Sequence, residues 1–135
     1  MISLSEYFGP WINHPDATPE RVSAAETMLA AVNELLQEAE ANGIEIKANP
    51  HTGTCVSGQT YGGFRPQDCP QGAPHSSHKE ARAVDIYDPD GALDRWLTDA
   101  RLEAYGLYRE NAESTLGWTH LSDKSPPSGR RTFQP

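Results

Sequence analysis

Three side chains carry the chemistry this sequence offers. His78 stands in the polar run Ser76-Ser77-His78-Lys79-Glu80-Ala81-Arg82-Ala83-Val84-Asp85, and Asp85 follows it seven residues later in a short apolar piece. An ionised carboxylate is costly to bury unless it is paired or coordinates a metal. His120 sits directly after Trp118-Thr119 in another short apolar segment. Two imidazoles and one carboxylate leave the fourth position of a tetrahedral zinc open for water, as in catalytic zinc sites. Other donors fit less well. His75 makes a His-x-x-His with His78 and is a rival ligand, whereas His14 and His51 carry no metal spacing. Cys55 and Cys69 are too few for a four-thiolate site or a disulfide framework, and read as two ordinary thiols in a loop. A single bridge between them is left open, though a reducing cytosol disfavours it.

Positioning these groups falls to a few elements. Residues 1–18 read as irregular, with Phe8, Trp11 and Ile12 as anchors. Thr18-Pro19-Glu20 is a helix start, with a hydroxyl cap, proline at the first helical position and an acid in the first turn. Val22, Ala25, Met28, Leu29, Val32, Leu35, Leu36 and Ala39 then form one apolar stripe, and Asn42-Gly43 supplies the stop. Ile44-Glu45-Ile46-Lys47-Ala48 alternates as a strand does. Residues 49–82 are rich in Gly, Pro, Ser, Thr, Gln and His, a loop of a length that is usually functional or disordered. Ala83-Val84-Asp85-Ile86-Tyr87 is a short strand. Asp88-Pro89-Asp90-Gly91 lacks the downstream glutamate of a calcium loop, and Asp90 is expected to cap a helix through Ala92, Leu93, Trp96 and Leu97. Gly106-Leu107-Tyr108-Arg109-Glu110 and Trp118-Thr119-His120-Leu121 read as two strands joined by a polar loop, and the low-complexity tail from Ser125 is too short for a domain.

The 135 residues and 14.8 kDa suit one domain, residues 1–135, with a modest core and many turns, since Gly and Pro number 11 each. The expected class is α+β: a long N-terminal helix packed on a small antiparallel sheet with extensive loops. A formal net charge of −8 argues against a nucleic-acid binder. Five glutamates and one arginine between Glu20 and Glu40 read as a solvated helix face. A zinc nucleic-acid deaminase needs Cys-x-x-Cys and His-x-Glu, and neither is present. No apolar run approaches the ~20 residues of a membrane span, and Met1-Ile2-Ser3-Leu4-Ser5-Glu6 lacks the features of a signal peptide. Synthesis in the cytoplasm, no membrane insertion and a monomeric state are expected.

The segment around His78 resembles the Ser-x-His-x-x-Gly-x-Ala-x-Asp motif of zinc D-Ala-D-Ala peptidases, a family of carboxypeptidases, dipeptidases and phage peptidoglycan endopeptidases. Trp118-Thr119-His120 is similar to that family's closing Trp-x-His element. The likeness extends to Gly63-Phe64-Arg65-Pro66, Asp85-Ile86-Tyr87-Asp88 and Pro127-Ser128-Gly129-Arg130-Arg131, and is closest to small phage endolysins. It implies a hedgehog/D-Ala-D-Ala-peptidase-like fold, one zinc ion on His78, Asp85 and His120, and a peptidoglycan stem peptide as substrate. A protein of this kind acts on the cell wall after release from the cytoplasm. The lack of a second, wall-binding domain is in keeping with a lysin for thin walls.

Two positions depart from the pattern. The motif's glycine is Ala81, so a required positive φ there would be costly. Some relatives place a catalytic acid three residues before the last histidine, where this chain has Gly117. The general base must then be another group. Glu110, at the end of the preceding strand, is favoured over Glu113 in the connecting loop, because a strand end holds a carboxylate more firmly. The resemblance further implies that Arg65 binds a substrate carboxylate or polarises the scissile carbonyl. Ser76 and Trp118 join it as substrate-binding candidates, although Ser76 could equally stabilise its loop. No separate His/Asp pair is left to make Ser76 a nucleophile. The contrasting class is a zinc-bearing, non-catalytic module of the same fold that binds wall fragments or a partner, and Gly117 is the residue that keeps it in view.

Overall fold

The amino end, expected to be irregular, begins with a capped helical turn. The Ser3 hydroxyl accepts the Glu6 N–H at 3.1 Å and the Glu6 carboxylate accepts the Ser3 N–H at 2.9 Å. This reciprocal box starts helix α1 (Leu4–Phe8), followed by a 3-10 turn over Gly9–Trp11. Phe8 is buried with its ring 5.1 Å from that of Phe64, and the Trp11 indole N–H donates to the Thr60 carbonyl at 2.8 Å. Ile12 is 45% exposed, so two aromatic anchors hold the segment rather than three.

Helix α2 (Pro19–Ala41) forms as its sequence dictates, with the Thr18 hydroxyl accepting the Arg21 N–H. All the stripe residues from Ala25 to Ala39 are buried and Val22 is half-buried. The expected strand over residues 44–48 is absent. That segment runs as irregular chain, and Ile44 and Ile46 pack on the core without joining a ladder. The computed structural model describes residues 1–73 and 75–135. Among them, residues 49–82 are largely irregular, with an isolated bridge from Val56 to Ile86.

The sheet comprises β1 (Ala83–Tyr87), β2 (Tyr108–Glu110), β3 (Trp118–Ser122) and β4 (Thr132–Phe133), in the order β1-β3-β2-β4. β3 lies antiparallel between β1 and β2, but β4 runs parallel to β2, so the sheet is mixed and not wholly antiparallel. Its inner face, with Val84, Ile86 and Leu121, belongs to the same apolar cluster as the α2 stripe. The free side of β1 is covered by the loop: Ser57 N–H donates to the Asp85 carbonyl at 2.8 Å, and Tyr87 N–H to that of Cys55 at 2.7 Å.

Between β1 and β2 stand two short helices, α3 (Ala92–Trp96) and α4 (Asp99–Ala104); only the first was expected. Asp90 accepts the Ala92 N–H, but the larger share of the capping belongs to Asp88. Its two carboxylate oxygens accept the Leu93 and Asp94 N–H groups at 3.1 and 3.0 Å, and one also takes the Thr119 hydroxyl. Both cysteines are free thiols. No helix among the described residues is long and apolar enough to cross a membrane.

A buried ion pair ties β2 to α3: Arg109 Nη1 donates to the Asp94 carboxylate at 2.8 Å and to its carbonyl at 2.7 Å. Burial pushes the Asp94 carboxyl above the ordinary range, while Arg109 pulls it down and Asp88 pushes it up. Removing Arg109 leaves an unpaired anion, so Arg109→Met is expected to cost ~3 kcal/mol at neutral pH. The loss is full where Asp94 is ionised and shrinks as pH falls through its raised titration range and the carboxyl takes a proton. Urea unfolding of the variant and its parent at neutral and acidic pH measures both.

Candidate metal centre and its cleft

The register of the sheet brings the expected ligands together. Asp85 on β1 faces His120 on β3. β2 pairs with β3 through Arg109 and Leu121, so one step further along sets Glu110 beside His120, and Glu110 in turn pairs with Phe133 on β4. Asp85, His120, Glu110 and Phe133 thus form a row across four strands, on the face opposite Val84, Ile86 and Leu121. His78 joins the row from the turn ahead of β1.

His78, Asp85 and His120 are all buried and form a group able to hold a metal ion. Asp85 Oδ1 lies 3.3 Å from His78 Nε2 and 3.0 Å from His120 Nδ1. Donors ~2.0–2.1 Å from a tetrahedral zinc stand about 3.4 Å from one another, so the spacing suits that ion. The chemistry of the donors points the same way. His78 Nδ1 is 2.8 Å from the Gly63 carbonyl, which can only accept, so Nδ1 carries the hydrogen. Nε2 is then the nitrogen that faces Asp85 Oδ1, and the space between them holds either the second proton of a charged imidazole or a metal ion. A backbone carbonyl that fixes a histidine tautomer is the usual outer support of a metal ligand.

Burial alone would push the Asp85 carboxyl upward. The charge of His78 and the hydrogen bonds from His120 and His78 outweigh it and hold the carboxyl well below the usual carboxylate range. Its other oxygen lies 3.5 Å from Arg65 Nη2, and Arg65 Nε donates to the Tyr61 carbonyl at 2.8 Å. The Arg65 N–H also donates to the His78 carbonyl, which joins the arginine loop to the ligand turn.

That turn carries strain at the position where the motif has glycine. Ala81 has φ 58°, the one positive φ outside glycine among the described residues. An L-residue there costs roughly 1–2 kcal/mol. Gly117, by contrast, is at φ +93° with open space around it, a conformation that a glutamate adopts only under strain.

The trio opens into a cleft of about 410 Å³ that Arg65, Ser76, Glu110, Trp118 and Phe133 also line. Glu110 Oε1 is 3.9 Å from His120 Nδ1. The Ser76 hydroxyl accepts the His78 N–H at 3.3 Å, so it steadies the turn from within the cleft. Glu113 lies exposed in the 3-10 turn Ala112–Ser114, outside the cleft walls. His75 is exposed and stands apart from the trio. No family model matches the chain, and neither curated proteins nor solved structures give a match.

Phe133 and Gly62 were not read from the sequence, and Gly63 entered only through the Gly63-Phe64-Arg65-Pro66 likeness, with no role of its own. Phe133 sets its ring 6.1 Å from that of His120, edge to face, from a strand of two residues that has no periodicity to detect. Gly62 and Gly63 supply carbonyls to the ligands themselves, to the Asp85 N–H at 2.7 Å and to the His78 ring. A Cβ on Gly63 would stand 2.0 Å from the Tyr7 carbonyl oxygen and one on Gly62 1.9 Å from that of Ser57. Gly63→Ala must therefore shift the carbonyl that orients His78. We expect it to weaken metal binding at the trio by about 10–100-fold, the usual effect of losing an outer partner, as measured by competition with a chromophoric chelator. A second grouping, His14 with Asp16 and Asp68, lies partly exposed and outside the cleft lining; Asp16 Oδ2 there already accepts the Gln67 N–H.

Proposed function

We propose that this chain is a zinc-dependent hydrolase of an amide bond in the peptidoglycan stem peptide, with a hedgehog/D-Ala-D-Ala-peptidase-like fold. The observation that carries the reading is the buried trio of His78, Asp85 and His120 opening into a cleft that also holds a carboxylate, Glu110, and a guanidinium, Arg65. The motif resemblance around His78 and His120 supplies the substrate class.

His78, Asp85 and His120 would hold the ion. When bound, zinc supplies Lewis acidity, polarising a carbonyl and easing the ionisation of water. Glu110 accepts a proton from the attacking water and delivers it to the leaving amine. Arg65 sets a positive charge where negative charge develops on the scissile carbonyl oxygen, an effect that is often the largest in acyl transfer. Trp118 and Ser76 line the walls against which the peptide lies. The protein acts as a monomer on the wall, after release from the cytoplasm.

The test is metal removal. A strong chelator is expected to abolish lysis of purified peptidoglycan, and added zinc to restore it. Zinc binding without any turnover would instead favour a non-catalytic wall-binding module, the reading that Gly117 supports.

A further inference from the structure

Most of the wall of a second cleft, of about 380 Å³, has no part in the chemistry described above. Arg65, Asp85 and Trp118 border both this cleft and the metal cleft, so a molecule held in one neighbours what is held in the other. The rest of the wall is the loop from Ser57 to Gly62, together with Gln71.

The polar side chains of this loop and of the segment ahead of it are used differently. Asn49 Nδ2 donates to the Val56 and Gly58 carbonyls at 3.0 and 2.7 Å. The Thr52 hydroxyl donates to the Val56 carbonyl at 3.0 Å, and that of Thr54 accepts the Val56 N–H at 3.1 Å. From Ser57 onward the main chain does the holding. The Ser57 N–H donates to Asp85, the Thr60 carbonyl accepts the Trp11 indole, and the Tyr61 carbonyl accepts Arg65 Nε. The side chains of Ser57, Gln59, Thr60, Tyr61 and Gln71 make no hydrogen bond among the described residues, and neither does the Trp118 indole N–H.

These free groups share one chemistry. Hydroxyls and primary amides both donate and accept, and none carries charge at neutral pH. The charged pair on the wall, Arg65 and Asp85, faces itself at 3.5 Å, so a carboxylate-bearing ligand finds no spare cation. Two aromatic rings, Tyr61 and Trp118, complete the wall, and Trp11 stacks on Tyr61 with an interplanar angle of 7° and fixes its ring. Sparse, neutral hydrogen-bonding groups beside aromatic surface are what a sugar requires. Its hydroxyls and acetamido group need donors and acceptors together, and its C–H faces lie against rings.

We propose that this cleft is a saccharide subsite, taking an N-acetylated sugar of the glycan strand to which the stem peptide is joined. It rests on the peptidoglycan reading above and adds a recognition contact outside the peptide.

The experiment gives zinc-loaded protein two soluble substrates with the same stem peptide, one free and one still joined to its disaccharide. The kcat/KM is expected to be at least fivefold higher with the disaccharide. Gln59→Ala combined with Gln71→Ala, at two exposed positions, is expected to cut that ratio at least threefold with zinc content unchanged. A smaller ratio, or one that the double substitution leaves intact, overturns the proposal. If neither substrate is cleaved, the hydrolase reading has failed, and the subsite is judged by calorimetry with peptide-free glycan fragments. Binding that weakens at least threefold in the double variant supports it. No binding, binding unchanged in the variant, or equal binding of a glucan oligosaccharide that lacks acetamido groups overturns it.

Discussion

Asp85→Ala is expected to abolish zinc binding and wall lysis together. Asp85 Oδ1 alone faces both imidazoles, at 3.3 and 3.0 Å, so its removal takes away a proposed ligand and the link between the other two. Losing an outer partner of a metal ligand costs about 10–100-fold in affinity, and losing a ligand costs more. The metal-free protein suffers as well. His78, His120 and Arg65 surround this carboxylate, and deleting a buried charge partner destabilises by about 3–5 kcal/mol. Elemental analysis after dialysis against zinc, with urea unfolding of the metal-free form, separates the two effects. His78→Ala should lose zinc to a similar degree without removing the anion. Full lysis by a metal-free Asp85→Ala protein would refute the zinc mechanism.

Glu110→Gln is expected to keep the metal and lose the chemistry. The substitution preserves size and removes the ability to accept a proton, a function that contributes typically ~10²–10⁴-fold. Glu110 is set beside His120 by the β2–β3 register, 3.9 Å from its Nδ1, and lines the cleft. Zinc stoichiometry should match the parent while kcat falls by at least ~10²-fold on purified peptidoglycan. Glu113→Gln is the control: that side chain is exposed and outside the cleft, so turnover should be unchanged. The reverse pattern, with Glu113→Gln inactive and Glu110→Gln active, would move the proton transfer from β2 to the Ala112–Ser114 turn.

The parts that were legible in the sequence are those with strong local signals. Thr18-Pro19-Glu20 and the spaced apolar stripe define α2 almost to its ends, because burial on one face repeats every three to four residues. The short apolar pieces around Asp85 and His120 are strands, and a polar residue in each directs attention to the centre between them. Other features depend on partners distant in the chain. Ile44-Glu45-Ile46 alternates like a strand, but the apolar side chains find the core without a neighbouring ladder. β4 is two residues long and gains its identity from pairing parallel to β2, which no local pattern announces. α1 was missed although Ser3 and Glu6 carry its capping box. The short run from Leu4 to Phe8 shows little periodicity, and α1 is held mainly by Tyr7 and Phe8 packing into the core. Ala81 was marked as a costly departure from glycine, and its positive φ bears that out.

The Asn33 side chain clamps Ile2 by accepting its N–H at 2.8 Å and donating to its carbonyl at 3.0 Å. From there α1 leads to Tyr7, whose carbonyl accepts the Phe64 N–H beside Gly63 and whose hydroxyl donates to Ala83 at the start of β1. The opening residues of the chain are thus an outlying support of the ligand geometry, several bonds removed from any donor atom. An affinity handle or protease scar engineered at this end belongs ahead of Ile2, since trimming past it would loosen the clamp and slacken the hold on His78 without altering a single ligand.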